Sequence, residues 1–224
     1  MAKRGVIIVA GGSGRRMQST MPKQFLMLGD KPVVAHTINT FAEALPGADI
    51  VVALPEEHIP LWKNLAARFD IAPHRTIAGG KERFHSVKCG IESLDRAVEY
   101  IAVHDGVRAL VSKRLIISSM LAVEEHKAVI PVVDVVESCR RVEGNNSYIV
   151  PRAELRIVQT PQVFDAEVLR RAYEVEYDAS FTDDASVVEA QGHRIELIAG
   201  ERANIKLTTP EDMAWAEWYI QNKR

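Results

Sequence analysis

The chain opens on Val6-Ile7-Ile8-Val9-Ala10, followed at once by Gly11-Gly12-Ser13-Gly14 and then by Arg15 and Arg16. Four consecutive aliphatic residues suit a strand buried on both faces, as in a parallel sheet. Three glycines within four positions then end it. Backbone without side chains turns sharply there and leaves N–H groups facing an anion. The next charges are Arg15, Arg16 and Lys23, with no acid among them. Strand, glycine loop and cations together suit a polyphosphate cradle. A tight strand-to-helix turn with solvated basic residues satisfies the same pattern. The dinucleotide fingerprint fails, because Met17 stands where its third glycine falls, and the Walker A pattern is absent.

Strands and helices alternate downstream. Asp30 is expected to cap a helix whose apolar positions are Val34, Ile38, Phe41 and Leu45. Asp49 to Pro55 reads as a second buried strand, Leu61 to Phe69 as a helix, and Arg75 to Ala78 as a strand ending at Gly79-Gly80. Phe84, Val87, Ile91 and Leu94 form a helical stripe. Tyr100 to Val103 is a strand ending at His104-Asp105, Ser112 opens a helix, and Ala128 to Val136 is strand-like. Such βα repetition predicts an α/β, Rossmann-like, mostly parallel sheet with helices on both faces. Ligands bind such sheets beyond the carboxyl ends of the strands. The segments Gly11–Gly14, Gly79–Ser86 and His104–Arg108 should therefore line one crevice.

The alternation breaks at Glu137. Ser138 to Val142 and Ser147 to Val150 flank the turn composition Glu143-Gly144-Asn145-Asn146, which predicts a β-hairpin with little core-facing surface. An isolated hairpin is only marginally stable in water, so a partner subunit is expected to cover it. Beyond it, Asp165 to Tyr177 reads as helical, and Thr182 as the cap of a short helix with Asp183 and Asp184 in its first turn. Two short strands, Arg194 to Ile198 and Asn204 to Thr208, precede a last helix with Thr209 as N-cap, Pro210 first and Asp212 in capping-box register. Trp215, Trp218 and Tyr219 there read as packing residues. With no repeat, linker or low-complexity stretch, residues 1–224 form one expected domain, with 137–155 as a protruding arm.

A formal net charge of −2 gives no global field to recruit nucleic acid or a membrane surface, so any phosphate site must be a local cluster of cations. No apolar run approaches the roughly 20 residues of a membrane span. With a core strand starting almost at the first residue, no cleavable signal is expected. Two cysteines, Cys89 and Cys139, fit a reducing compartment and read as structural. A cytoplasmic location is expected.

Six ordered segments carry a resemblance: Ala10 to Met17 with Pro22-Lys23-Gln24-Phe25; Gly79 to Arg83 with Ser86-Val87; Val103 to Arg108; Gln159-Thr160-Pro161-Gln162; Thr182 to Ser186; and Asn204 to Thr208. Together they resemble the 2-C-methyl-D-erythritol 4-phosphate cytidylyltransferases, CTP-using enzymes of the non-mevalonate isoprenoid pathway. The resemblance implies in-line attack by the substrate phosphate on the α-phosphorus of CTP, giving 4-diphosphocytidyl-2-C-methyl-D-erythritol and pyrophosphate. It makes Arg16 and Lys23 transition-state stabilisers, and Arg152 and Lys206 the residues that position the polyol phosphate. Ala10, Gly11, Gly12, Ser13 and Gly14 would wrap the triphosphate. Gly80, Arg83 and Ser86 would hold the cytidine. Asp105, lying between a strand and the crevice, would bind Mg²⁺ in preference to serving as a helix or turn cap. Arg108, Ser138, Arg140, Thr182 and Asp183 would complete the substrate site. Ser138, Arg140 and Arg152 would come from the arm of a homodimer partner, so that each site is shared.

His104 reads as a structural hydrogen-bonding residue, since a phosphate nucleophile needs no deprotonation, and His85 as incidental. The chain departs from the family at His104-Asp105-Gly106-Val107-Arg108-Ala109, where H-D-A-A-R-P is usual, and at Ala203, where many relatives carry Asp. Two alternatives share the motifs: a ribitol 5-phosphate cytidylyltransferase and a non-catalytic nucleotide-binding subunit.

Overall fold

The structure, a computed structural model, describes residues 2–12, 17, 19 and 21–222. Strand β1 (Arg4–Val9) lies at the centre of the main sheet, because its apolar run can be buried from both sides. It pairs in parallel with β4 (Asp49–Leu54) on one side and β6 (Tyr100–Asp105) on the other, and β4 pairs in parallel with β5 (Arg75–Ala78). Two short antiparallel strands extend the sheet: β11 (Gln162–Asp165) between β6 and β7 (Ala128–Asp134), and β10 (Arg156–Val158) beside β7. Strand β12 (Glu196–Ala199) runs parallel to β7.

Helices α1 (Val33–Ala44), α2 (Ile59–Ala66) and α4 (Lys113–His126) cover one face, where Phe41, Trp62, Ile116 and Leu115 are buried. Helices α3 (Arg83–Ser93), α5 (Ala166–Ala172) and α6 (Asp184–Ala190) cover the other, packing Phe84, Leu169 and Val188 against Ile7, Val103 and Phe164. The register aligns Val9 with Ala53 and Asp105, and Leu54 with Ala78. Four strands thus end together at one edge, and the segments expected to share a crevice all leave from it.

Several local expectations are corrected. Asp30 caps no helix. It lies in the turn of a small hairpin, β2 (Met27–Leu28) and β3 (Lys31–Pro32), made possible by Gly29 at φ +62°. Helix α1 starts after Pro32 without a side-chain cap, its entry set by the ring-fixed φ of −59°. The helix from Asp165 is shorter than expected, ending at Ala172, although Asp165 does cap it by accepting from the Glu167 and Val168 N–H groups. The cap of α6 is Asp183 rather than Thr182. No strand forms at Asn204–Thr208, because its carbonyls are taken by side chains described below. Helix α7 (Pro210–Asn222) begins as expected, with Asp212 accepting from the N–H groups of Thr208 and Thr209. Its packing falls to Met213, Ala216, Tyr219 and Ile220, whereas Trp215 and Trp218 are exposed.

Strands β8 (Cys139–Glu143) and β9 (Asn146–Val150) form the anticipated hairpin and, among the described residues, pair only with each other. Both cysteines are free. Among the described residues, no helix is long and apolar enough to cross a membrane.

Candidate active site

The strand ends open into a cavity of about 600 Å³. Ala10, Gly11 and Gly12 form one side, Lys23 and Gln24 another, and the 79–86 segment a third, with Asp105 and Lys206 also lining it. Ser13, Gly14 and Arg16 lie outside the described residues. The loop after β1 leaves the sheet with Ala10 N–H donating to the Ala53 carbonyl at 2.9 Å. Lys23 follows Pro22 in a single 3-10 turn and is almost completely buried; its Nζ donates to the Leu207 carbonyl at 3.2 Å. A cation so enclosed holds its position before any ligand arrives. Beside it, Gln24 is wholly buried, with no hydrogen-bond partner for either amide atom among the described residues.

The second loop is drawn tightly onto α3. Ser86 Oγ accepts the Gly80 N–H at 3.1 Å and lies 3.2 Å from the Glu82 carbonyl, to which its hydroxyl donates. A Cβ on Gly80 would meet the Cβ of His85 at 2.2 Å, so only glycine allows this approach. Glu82 and His85 form a reciprocal capping box at the start of α3. His85 thus has a structural duty that its sequence reading as incidental missed.

Asp105, at the end of β6, is the charge centre. Lys206 Nζ lies 3.1 Å from Oδ2, Arg108 Nε 3.3 Å from Oδ2, and Arg83 Nε 3.7 Å from Oδ1. Burial by itself would raise the Asp105 carboxyl, but Arg83, Lys206 and Arg108 outweigh it and hold it well below the usual carboxylate range. Its backbone is fixed by a relay. Asp105 N–H donates to Thr160 Oγ1 at 3.1 Å, and the Thr160 hydroxyl donates to His104 Nδ1 at 3.0 Å. His104 Nε2–H then donates to the Arg108 carbonyl at 3.3 Å. Burial, reinforced by the Arg108 charge, lowers the His104 imidazole to about 3 despite the neighbouring Asp105. His104 is a neutral hydrogen-bonding residue, as expected from the sequence.

The Gln159-Thr160-Pro161-Gln162 segment ties the remaining pieces to this centre. Gln159 Nε2 donates to the carbonyls of Glu201 and Asn204, and Asn204 Nδ2 donates to the Thr160 carbonyl at 2.7 Å. Arg108 Nη1 also donates to the Asn204 carbonyl, at 2.8 Å. These bonds replace a strand ladder at 204–208 and aim Lys206 at Asp105. On the opposite flank, Gln162 Nε2 donates to Asp183 Oδ2 and its Oε1 accepts the Ala185 N–H, locking the first turn of α6.

Of the residues proposed from sequence, Ala10, Gly11, Gly12, Lys23, Gly80, Arg83, Ser86, Asp105 and Lys206 are brought together at the cavity. Arg108 stands behind Asp105. Asp183 serves as a helix cap and Thr182 is exposed beside it. Within one chain, Ser138, Arg140 and Arg152 do not line the cavity; all are exposed on the arm or at its base. Arg140 donates to the hydroxyl and carbonyl of Ser147, and Arg152 to the Val136 carbonyl.

The sequence profile of the IspD family, 2-C-methyl-D-erythritol 4-phosphate cytidylyltransferase, matches residues 5–222. The chain belongs to this family. A relative of that name from Bacteroides thetaiotaomicron is 48% identical over 212 residues, covering 94% of this chain and 96% of its own length. One from Phocaeicola vulgatus is 47% identical, covering 97% and 99%. The crystal structure of 4-diphosphocytidyl-2C-methyl-D-erythritol synthase from Anaerococcus prevotii superposes with a TM-score of 0.83 at 27% identity, covering 99% of this chain and 97% of that one. Family membership therefore spans both the cavity and the exposed arm.

Tyr173 and Asp184 are the residues that sequence reasoning missed as contributors to the site. Asp184 takes Arg83 Nη1 at 2.6 Å and the Tyr173 hydroxyl at 2.7 Å. The Thr182–Ser186 motif contained the signal, but nothing local shows that its second Asp meets an arginine 101 positions earlier.

Proposed function

We propose that this chain transfers the cytidylyl group of CTP to 2-C-methyl-D-erythritol 4-phosphate, releasing pyrophosphate. The observation that carries the reading is the convergence of Lys23, Arg83 and Lys206 on a cavity at the strand ends, the last two beside the buried carboxylate of Asp105, in a chain of this family. A phosphate oxygen of the acceptor attacks the α-phosphorus, that P–O bond forms, and the bond to the bridging oxygen of pyrophosphate breaks. No protein group changes covalently. No base is required either, because the phosphate oxygen carries no proton to remove at neutral pH, in keeping with a buried neutral His104. Catalysis then consists of holding two anions in line and meeting the charge that builds on phosphorus and leaving group.

In this reading the backbone of Ala10 to Gly14 wraps the triphosphate, while Arg16 and Lys23 stabilise the transition state. Gly80, Arg83 and Ser86 hold the cytidine. Lys206, with Asp105, Arg108, Thr182 and Asp183, receives the acceptor. Mg²⁺ belongs to the proposal as well. Among the described residues no three metal-ligating side chains cluster, and Asp105 is the only buried carboxylate at the cavity. One carboxylate fits a Mg²⁺ ion that takes its other ligands from phosphates and water. When bound, the ion would neutralise phosphate charge, with Asp105 as its protein ligand.

The chain acts, in this proposal, as one catalytic domain over residues 1–224, with 137–155 as a dimerisation arm. Val142, Tyr148 and Ile149 are exposed apolar side chains on that hairpin, the surface a second copy would bury. Ser138, Arg140 and Arg152 would then enter the partner's site. A cytoplasmic setting accords with the two free thiols.

The test is pyrophosphate release with Mg²⁺ and CTP in parallel reactions containing 2-C-methyl-D-erythritol 4-phosphate, ribitol 5-phosphate or no acceptor. Turnover with the first alone is expected; turnover with ribitol phosphate alone would overturn the substrate assignment.

A further inference from the structure

Arg83 is the first residue of α3, and its guanidinium is strung between two carboxylates on different elements. Toward the cavity it meets Asp105 at 3.7 Å, a contact that Asp105 shares with Arg108 and Lys206. Away from it, Arg83 Nη1 donates to Asp184 Oδ1 at 2.6 Å, the tighter of the two contacts. Asp184 is wholly buried and does not line the cavity. The same oxygen accepts the Tyr173 hydroxyl at 2.7 Å, while Oδ2 is buried with no hydrogen-bond partner among the described residues.

A carboxylate buried for stability alone would be expected to satisfy both oxygens, since an unmet one carries its full desolvation cost. Here both donors converge on one oxygen, which fixes the direction from which the guanidinium is held. The holder is itself braced. Asp183 caps α6 and Gln162 bonds both Asp183 and the Ala185 N–H, so Asp184 sits in a locked first turn. The Tyr173 ring stacks on Phe84, the neighbour of Arg83, with centroids 4.7 Å apart, and Phe181 stacks on Phe84 at 5.8 Å.

We propose that Asp184 and Tyr173 are positioning residues that act through Arg83, keeping its guanidinium at the cavity wall independently of Asp105. The inference rests on the reading of Arg83 as a CTP contact. Asp105 alone would be a weak anchor, since Arg83 meets it only at 3.7 Å and competes for it with Arg108 and Lys206. Asp184, being outside the cavity, faces no such competition.

The experiment is a double-mutant cycle on KM for CTP and on kcat, at saturating 2-C-methyl-D-erythritol 4-phosphate, with melting curves for every variant. Arg83→Gln and Asp184→Asn are each expected to raise KM for CTP about tenfold or more, the loss of a charge-assisted hydrogen bond. Tyr173→Phe should raise it less, in the same direction. The double variant Arg83→Gln with Asp184→Asn should be no worse than Arg83→Gln, because the second residue has nothing left to act through. Multiplying effects in the double variant, or an unchanged KM in Asp184→Asn, would overturn the proposal. An unchanged KM in Arg83→Gln would overturn the Arg83 reading itself, and the inference with it. If Asp184→Asn does not fold, the cycle between Tyr173→Phe and Arg83→Gln decides by the same criterion.

Discussion

The cavity and the arm carry charges of the same type in opposite circumstances. At the cavity, three cations from α3, the turn after β6 and the 204–208 segment converge on one buried carboxylate, and hydrogen bonds accepted by Thr160 and donated by Gln159 and Asn204 fix the backbone beneath them. On the arm, among the described residues, Arg140 and Arg152 bond to the arm and its base, while Val142 is 70% and Ile149 79% exposed. A charge anchored in low dielectric is aimed before the ligand arrives; one on a self-paired hairpin is aimed only once something covers the hairpin. In the proposed dimer, one chain presents a preorganised half of the site, and the other half is supplied by the arm of a second copy.

The largest expected effect lies on the arm. Ile149→Asp places a charge where a partner would bury apolar surface, so it should yield a folded monomer with activity lost by orders of magnitude. Light scattering and pyrophosphate release check this together. Full activity in the monomer would break the comparison.

A smaller effect should arise in the core and be absent from the arm. In the unfolded chain His104 titrates near 6.5, whereas burial holds it at about 3 in the fold. As pH falls between those values, the unfolded chain binds a proton that the native one does not. Stability present above about pH 6.5 is therefore lost progressively, by roughly 2 kcal/mol at pH 5. Denaturant titrations at pH 7 and pH 5 should show this loss diminished in His104→Gln and retained in Ile149→Asp. An unchanged pH dependence in His104→Gln would mean that the histidine is not the group responsible.

The parallel half of the sheet was legible because β1, β4, β5 and β6 are apolar or β-branched runs stopped by glycine, proline or charge. The antiparallel additions β10 and β11 were not, being three or four residues long and placed by pairing with distant strands. Asn204 to Thr208 has strand-like alternation, yet its carbonyls accept from Gln159, Arg108 and Lys23 instead of a neighbouring strand. Lys23, Asp105 and Lys206 were legible as charges after strands or beside motifs. The Arg83–Asp184–Tyr173 cluster was not, since it depends on α3, α5 and α6 packing onto one face, a tertiary fact that no local pattern carries.

The shared site is tested most directly by mixing two variants, Lys23→Ala, defective at the cavity, and Arg152→Ala, defective on the arm. Each should be nearly inactive alone. If the arm of one subunit serves the cavity of the other, co-refolding them in equal amounts gives half heterodimers, each with one intact site, and restores about a quarter of the wild-type rate. No recovery from a mixture that does contain heterodimers would show that every site is built within one chain.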